Sequence, residues 1–266
     1  MARARSNPWL DRRVLNYAHQ GGAKEAPSST LHAIRAALAA GADAIELDVH
    51  ASLDGELMVC HDATVDATTD GSGAIAGLTL EELQSLDNAA SWPSLAGRAP
   101  ADRSLGVATL REVLVAFPGV VLNLDIKQTA PEVVGYEAAL AGLLREFGRV
   151  DDVIVASFLD IATDRFSECA PEIATSAGTL ATAGFWRAVQ EGVPPPAMRH
   201  VALQVPAAYQ STVIVDERFV SAAHSAGVAV HVWTVDEPDE MRRLLDLGVD
   251  GIITDRPSVL TPLLHP

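Results

Sequence analysis

Short apolar runs of strand length alternate with helical patterns along most of the chain. The first strand is predicted at 14–18, and the helix that follows it, at 30–40, has Ser28 or Ser29 as its predicted N-cap residue. The second strand is AIELDVH at 44–50. The same patterns predict a short extended arm at 56–60, further strands at 120–126, 153–157, 173–176, 200–205, 228–234 and 251–253, and further helices at 80–86, 110–116, 132–147, 161–169, 185–191, 216–226 and 241–247.

About eight strands separated by helices are typical of parallel βα units. In 266 residues, eight such units favour a closed barrel over an open doubly wound sheet. The predicted fold class is therefore α/β, a TIM (β/α)8 barrel with a long loop insertion after the second strand, at 62–106. A loop of that length inside a compact domain is more often functional than not. No shift in composition marks a domain boundary, so residues 1–266 are predicted to form one domain.

Charge and composition narrow the possible partners. The formal net charge of −16 argues against nucleic acid, because phosphate backbones are bound through basic patches. An anionic substrate would then need a local positive charge, for which a metal ion is the simplest source. The two cysteines, Cys60 and Cys169, lie far apart and fit a reducing compartment. No run approaches the roughly 18 apolar residues of a membrane span, so a cytoplasmic protein without a membrane anchor is predicted.

Polar side chains gather where the predicted strands end. In a barrel of this kind the active site lies at the carboxyl ends of the strands. The candidates at these positions are His19, Glu46, Asp48, His50, His61, Asp62, Asp125, Lys127 and Trp233. Almost all the titratable ones belong to the first three strands and the arm between them, which predicts that the chemistry is concentrated there.

Carboxylates on neighbouring strands indicate a cation site. Side chains alternate along a strand, so Glu46 and Asp48 share one face, and burying both without partners would be costly. Oxygen ligands suit Ca²⁺ or Mg²⁺, although salt bridges to barrel lysines or arginines would also satisfy the two acids. Asp125 and Lys127 are either a plain ion pair or a third metal carboxylate with a phosphate-binding ammonium, and their place on the neighbouring strand favours the second interpretation.

Two strand-end histidines could move protons near neutral pH. His19 and His61 each lie beside a carboxylate-bearing strand, and a phosphate ester reaction needs one group to remove a proton and one to return it. A single histidine in such a position is more often structural than catalytic, but two are harder to dismiss. His50 shares the inward face of the second strand and is interpreted as a bystander or as support for the site.

Several segments together resemble the glycerophosphodiester phosphodiesterase family. The similarity covers residues 15 to 257 and is weakest at 87–108 and 160–222. Its motifs are AHQGG with Glu25 and Thr30, GADAIELDVHASLDGELMVCHDATVDATTDGSG, LNLDIK, and VWTVDEPDEMRRLLDLGVDGIITDRP. The resemblance implies a TIM barrel with bound Ca²⁺ or Mg²⁺ that hydrolyses glycerophosphodiesters, as small-molecule substrates, to glycerol 3-phosphate and an alcohol.

The resemblance also implies roles for individual residues. His19 and His61 match the acid/base pair, in a mechanism whose nucleophile is either a glycerol hydroxyl, giving a cyclic intermediate, or water. Glu46 and Asp48 match metal ligands, Asp125 occupies the place of a third, and Glu25 matches an additional metal or site-ordering group. Lys127 and Trp233 match substrate-binding residues, and Gln20, in the place of a family arginine, is also predicted to bind substrate.

Three positions depart from the family pattern. Gln20 replaces the arginine of the usual His-Arg-Gly, so it offers an amide without charge or a bidentate fork. Glu25 is separated from the helix cap by inserted residues, where the family has a compact Glu-Asn-Thr. Asp125 is one methylene shorter than the usual glutamate, which predicts a longer metal bond or an inserted water.

Two alternative functions stay open from the sequence. One is a lysophospholipase D that acts on longer lipids and needs an apolar groove. The loop at 62–106 carries apolar residues but forms no clear amphipathic anchor. The other is a barrel that binds a phosphodiester or a metal without turnover, and Gln20 is its main support.

Overall fold

The computed structural model describes residues 7–10, 12–99 and 101–265, and the basic N-terminal residues 1–6 lie outside this part of the chain. Its main sheet is a barrel of parallel strands, and a bridge between Ser176 and Ala202 joins the two ends of the strand path. The predicted TIM barrel is therefore confirmed. The barrel strands are, in spatial order, β7 (Ala174–Thr175), β6 (Val153–Ala156), β5 (Val121–Ile126), β2 (Ala44–Ala51), β1 (Leu15–His19), β12 (Gly251–Thr254), β11 (Ala229–Trp233) and β8 (Ala202–Pro206).

Helices follow the strands and cover the outside of the barrel. They are α1 (Leu31–Ala39), α2 (Leu80–Gln84), α3 (Leu110–Ala116), α4 (Glu137–Glu146), α5 (Asp160–Cys169), α6 (Thr179–Glu191), α7 (Glu217–Ser225), α8 (Pro238–Asp246) and α9 (Pro257–Leu264). No helix in the described residues is long and apolar enough to cross a membrane. The sequence patterns did not predict α9, whose short apolar run is interrupted by Pro262.

The alternation along β2 separates the apolar core from the barrel interior. Ile45, Leu47 and Val49 are fully buried in the layer between the sheet and the helices. The side chains between them point inward, as a period of two requires. The apolar residues of β2 therefore pack under the helices, and its polar residues face the barrel interior.

Two helix boundaries differ from the predicted ones. Helix α4 begins at Glu137 rather than at 132, and the Glu137 carboxylate accepts a hydrogen bond from Thr129. Helix α6 begins at Thr179 rather than at 185, because the Asp160 carboxylate accepts hydrogen bonds from the backbone N–H groups of the first turn, at 2.8 and 2.9 Å. That cap comes from another loop, so periodicity within the α6 segment could not reveal it.

The insertion after β2 is more ordered than its sequence indicates. Strand β3 (Leu57–Val59) pairs antiparallel with β2 and with β4 (Ala108–Thr109). The segment between β3 and β4 packs on a cluster of its own, which contains Val65, Ile75 and Leu83.

A short hairpin that the sequence patterns did not predict follows β8. It consists of β9 (Ala208–Tyr209) and β10 (Thr212–Val213).

A histidine inside the barrel makes stability depend on pH. His231 has no exposed surface, its Nδ1 lies 3.2 Å from Gln204 Nε2, and its ring packs on Tyr17 with the centroids 5.0 Å apart. Burial lowers the pKa of His231 from 6.5 to about 3. The folded state keeps this ring neutral, whereas the unfolded chain takes up a proton as the pH falls below 6.5. The contribution of His231 to stability is therefore lost as the pH falls from 6.5 toward 3.

We expect this linkage to appear when the wild type is compared with His231→Gln. Between about pH 7.5 and pH 5, protonation of His231 in the unfolded chain should lower the free energy of unfolding by about 2 kcal/mol, a loss that the variant does not have. Urea unfolding of both proteins at the two pH values measures the difference. Equal losses in the two proteins would contradict a buried neutral histidine.

Candidate active site

A cleft of about 740 Å³ opens at the carboxyl ends of the barrel strands, where active sites of this fold lie. The structure brings many of the predicted site residues together along its wall. Those that line the cleft are His19, Glu46, Asp48, His61, Asp125, Lys127 and Trp233. Gln20 and Glu25 are not among the lining residues.

Strand register places three buried carboxylates side by side. Strands β2 and β5 are neighbours, and Asp48 lies opposite Asp125 in their pairing. Glu46 precedes Asp48 by two residues and therefore points to the same inner face. All three side chains are buried.

One lysine compensates this negative charge only in part. Lys127 Nζ lies 2.9 Å from Asp48 Oδ1 and 3.3 Å from Asp125 Oδ2, so the ion pair that the sequence analysis gave as the less favoured interpretation is present. Burial opposes the lysine charge, but Asp48 and Asp125 together keep the pKa of Lys127 above its ordinary value. Burial, with repulsion from Asp48, raises the pKa of Glu46 to about 8. Burial also raises the pKa of Asp125, to about 6, although Lys127 lowers it.

The donor chemistry of the three carboxylates fits a divalent cation. Asp48 Oδ2 and Asp125 Oδ1 are buried and have no hydrogen-bond partner among the residues that the structure describes. Carboxylate oxygens are ligands that Ca²⁺ and Mg²⁺ prefer. Within 7–10, 12–99 and 101–265, no group of three or more His, Cys, Asp or Glu side chains is already arranged to hold a metal ion. The residues therefore offer suitable ligands without a preformed coordination geometry, and Lys127 contacts two of them.

His19 is held between carboxylates at the end of β1. Its Nδ1 lies 2.6 Å from Asp255 Oδ1, and its Nε2 lies 3.8 Å from Glu46 Oε2. Burial by itself would lower the pKa of His19, but the hydrogen bond to Asp255 and the negative charges of Glu46, Asp255 and Asp48 raise it to about 9. The ring therefore carries a proton at neutral pH.

His61 faces His19 across the charged end of the cleft. The two rings are perpendicular, with 5.9 Å between their centroids. His61 Nδ1 lies 2.8 Å from Asp62 Oδ1, and the backbone carbonyl of His61 lies 3.4 Å from His50 Nε2. Each of the two facing histidines thus has an aspartate on its Nδ1, and His50 lies behind the His61 backbone.

The structure places Gln20 and Glu25 away from the cleft wall. Gln20 is buried, with its Nε2 3.2 Å from His19 Nε2 and its backbone N–H donating to the Glu46 carbonyl. Glu25 is exposed and accepts a hydrogen bond of 2.6 Å from Ser258 Oγ. The structure therefore does not bring Glu25 together with the other predicted metal ligands.

The strand-end reasoning missed Asp255, which follows β12 directly. Its backbone N–H donates to Asp236 Oδ1 at 2.8 Å, and Lys24 Nζ lies 2.6 Å from the other Asp236 oxygen. This network fixes the carboxylate that contacts His19. The same rule that selected His19 could have found Asp255, since it is an acid at the carboxyl end of a barrel strand.

The known proteins that this chain resembles carry descriptions of the same activity. A model of the glycerophosphoryl diester phosphodiesterase family matches residues 19–259. A glycerophosphodiester phosphodiesterase from Caldanaerobacter subterraneus is 34% identical over 260 residues, which cover 95% of this chain and 98% of the relative. A putative glycerophosphodiester phosphodiesterase from Bacillus subtilis is 33% identical, over 91% of this chain and 95% of its own length.

Solved structures with the same fold extend over nearly the whole chain. The glycerophosphodiester phosphodiesterase from Agrobacterium tumefaciens superposes with a TM-score of 0.73 at 26% identity, covering 94% of this chain and 100% of its own. A phosphodiesterase from Oleispira antarctica, solved in complex with its product sn-glycerol-3-phosphate, has a TM-score of 0.74 at 24% identity and covers 96% of this chain and 97% of its own. At that identity the second structure is similar in fold alone.

Proposed function

The chain belongs to the glycerophosphoryl diester phosphodiesterase family, and on that premise we propose that it hydrolyses glycerophosphodiesters to glycerol 3-phosphate and an alcohol. One observation carries the proposal. Two histidines, each with an aspartate on Nδ1, face one another beside three buried carboxylates and a lysine in a single cleft. Such a set offers both proton transfers and charge stabilisation to a phosphodiester.

The two histidines divide the proton transfers. His19, whose Nδ1 is hydrogen-bonded to Asp255, gives a proton from Nε2 to the oxygen of the leaving alcohol. His61, whose Nδ1 lies beside Asp62, takes the proton of the attacking hydroxyl. The P–O bond to the alcohol breaks as a new P–O bond forms, and one water is consumed overall.

The carboxylates and the lysine bind the charged part of the substrate. Glu46, Asp48 and Asp125 would hold Ca²⁺ or Mg²⁺, because two of them retain unpartnered buried oxygens. A divalent cation, when bound, neutralises negative charge on a phosphoryl oxygen. Lys127 adds a second positive charge near the phosphate. Glu25 is left out of the proposed ligand set because it pairs with Ser258.

Release of glycerol 3-phosphate from glycerophosphocholine tests the activity and its metal dependence. We expect turnover with Ca²⁺ or Mg²⁺, loss of activity with a chelator, and recovery when either ion is restored. No release with any divalent cation, for this or other phosphodiesters, would refute the enzymatic proposal. Gln20 gives a non-catalytic barrel little support, because it contacts His19 and does not line the cleft.

Asp255→Asn tests the carboxylate that positions His19. We expect kcat to fall by about tenfold to 100-fold with little change in KM, since Asp255 acts through the histidine rather than on substrate. The exposed Asp62 contacts His61 in the same way, so Asp62→Asn serves as the paired variant and should have the smaller effect. Steady-state kinetics on both variants, with Asp255→Glu as the conservative change, measure this. A pure KM effect in Asp255→Asn would contradict a positioning role.

A further inference from the structure

The cleft continues beyond the charged residues into an apolar arm. We define the apolar arm as the lining residues Phe158, Trp186, Tyr209, Ile214 and Trp233. They come from the ends of β6 and β11, from α6, and from the β9–β10 hairpin and the segment after it. The arm thus occupies the side of the barrel mouth opposite β1, β2 and β5.

Charge is segregated between the two parts of the cleft. Every acidic, basic or histidine side chain in the lining comes from residues 19 to 127. The lining residues from 156 onward contribute aromatic, aliphatic, hydroxyl and amide groups but no charged side chain. A neutral apolar group placed in the arm would gain free energy by leaving water.

The apolar arm begins directly beside the proposed phosphate site. Lys127 Nζ lies 5.8 Å from the centroid of the Phe158 ring, and that ring packs edge-on against Trp233 with 5.3 Å between centroids. A phosphate held near Lys127 would therefore have one of its ester substituents against these rings.

The outer end of the arm reaches the protein surface. Tyr209 is 65% exposed on the hairpin, although it also lines the cleft. The arm therefore opens to solvent beside an exposed aromatic side chain, which leaves room for a substituent longer than the cleft.

The two ester substituents of a glycerophosphodiester differ in polarity. Glycerol carries hydroxyl groups, which would lose hydrogen bonds to water in the apolar arm. The cavity beside His61 is lined by the hydroxyl-bearing Ser28, Ser29 and Thr64, but its volume of about 20 Å³ is too small for glycerol. The apolar arm is therefore assigned to the alcohol part on polarity alone.

We propose that the apolar arm binds the alcohol part of the substrate and that this protein prefers glycerophosphodiesters whose alcohol carries a larger alkyl or aryl group. The inference rests on the proposed phosphodiesterase function and specifies its substrate class.

A series of synthetic diesters tests the preference. The glycerol 3-phosphate esters of ethanol, butanol and hexanol are compared by kcat/KM. We expect a rise of about fourfold for each methylene buried. No dependence on chain length, or a stronger preference for an acyl chain on the glycerol, would overturn the proposal.

Substitutions in the apolar arm test whether its side chains determine the preference for larger alcohols. Tyr209→Ser and Phe158→Ser replace side chains that are 65% and 53% exposed, so neither substitution should unfold the barrel. We expect each to reduce the hexyl-to-ethyl ratio of kcat/KM by at least about fivefold. Val115→Ser, an equally exposed apolar position on α3 outside the cleft, should leave the ratio unchanged. A wild-type ratio in both arm variants would overturn the assignment.

Binding measured without turnover separates this inference from the proposed function. Calorimetry with hexyl phosphate and ethyl phosphate, in the presence of Mg²⁺, should give a Kd at least about tenfold lower for the hexyl compound. Equal affinities would overturn the apolar arm even in an active enzyme. Tighter hexyl binding without cleavage of any diester would support the arm and refute the phosphodiesterase activity.

Discussion

Replacing His19 or His61 by alanine is expected to lower the kcat of glycerophosphodiester hydrolysis by about 10²-fold to 10⁴-fold, the contribution typical of a general acid or base. Each histidine handles one of the two proton transfers, so the loss of either should be nearly complete. Both side chains lie at the cleft, and the His61 side chain is 44% exposed, so the barrel core does not depend on them.

Steady-state kinetics with saturating divalent cation and thermal unfolding of the same samples check this expectation. His32→Ala is the matched control, since His32 lies on α1 outside the cleft lining and should retain wild-type kcat. Near-normal kcat in either cleft variant would show that the acid/base assignment is wrong. A large loss of kcat together with a large fall in Tm would instead indicate that the replaced histidine has a structural role.

Glu46→Gln is expected to change stability and activity in opposite directions. Burial, with repulsion from Asp48, raises the pKa of Glu46 to about 8, whereas an unfolded glutamate has an ordinary pKa of 4.5. The stability that the protonated form contributes is full below pH 4.5 and is lost as the pH rises through 8. Glutamine has no proton to lose, so without divalent cation at pH 8 the variant should be more stable, by on the order of 2 kcal/mol.

The same substitution removes one proposed cation ligand. We therefore expect kcat to fall by at least about 100-fold and the stabilisation by added Ca²⁺ or Mg²⁺ to shrink. Urea unfolding with and without cation, beside kinetics, measures both effects. Glu56→Gln makes the same chemical change at an exposed turn residue and should leave both unchanged. Wild-type activity of the Glu46→Gln protein would contradict the role of Glu46 as a cation ligand. A Glu46→Gln protein less stable than the wild type without cation would contradict a destabilising buried carboxylate.

The sequence was sufficient for the barrel because the signals that define it are local. Alternation along β2 placed Ile45, Leu47 and Val49 in the core, and the repeated change from strand to helix periodicity predicted the parallel topology. Secondary-structure prediction failed where a contact from another loop determined a helix start, and where the strands were too short to show a pattern. The first turn of α6 depends on Asp160 from another loop, and the β9–β10 hairpin has only two residues in each strand.

The candidate site was partly predictable for the same reason. The carboxyl ends of parallel strands meet at one end of a barrel, so polar residues at those positions had to converge. His19, Glu46, Asp48, Asp125 and Lys127 were found by this rule, and all of them line the cleft. Their roles in catalysis and metal binding stay predictions for the experiments above.

What the sequence by itself determined is the alternation of strands and helices and the set of polar groups delivered to the barrel mouth. Tertiary structure alone decided their partners. Residue 255 reaches His19 because β12 closes the barrel beside β1, Lys127 lies between two aspartates because β2 and β5 are neighbours, and Glu25 turns to Ser258. It also assembled the apolar arm from strands, a helix and a hairpin that lie far apart in sequence. Contacts of this kind depend on strand order and register, and no periodicity within one segment encodes them.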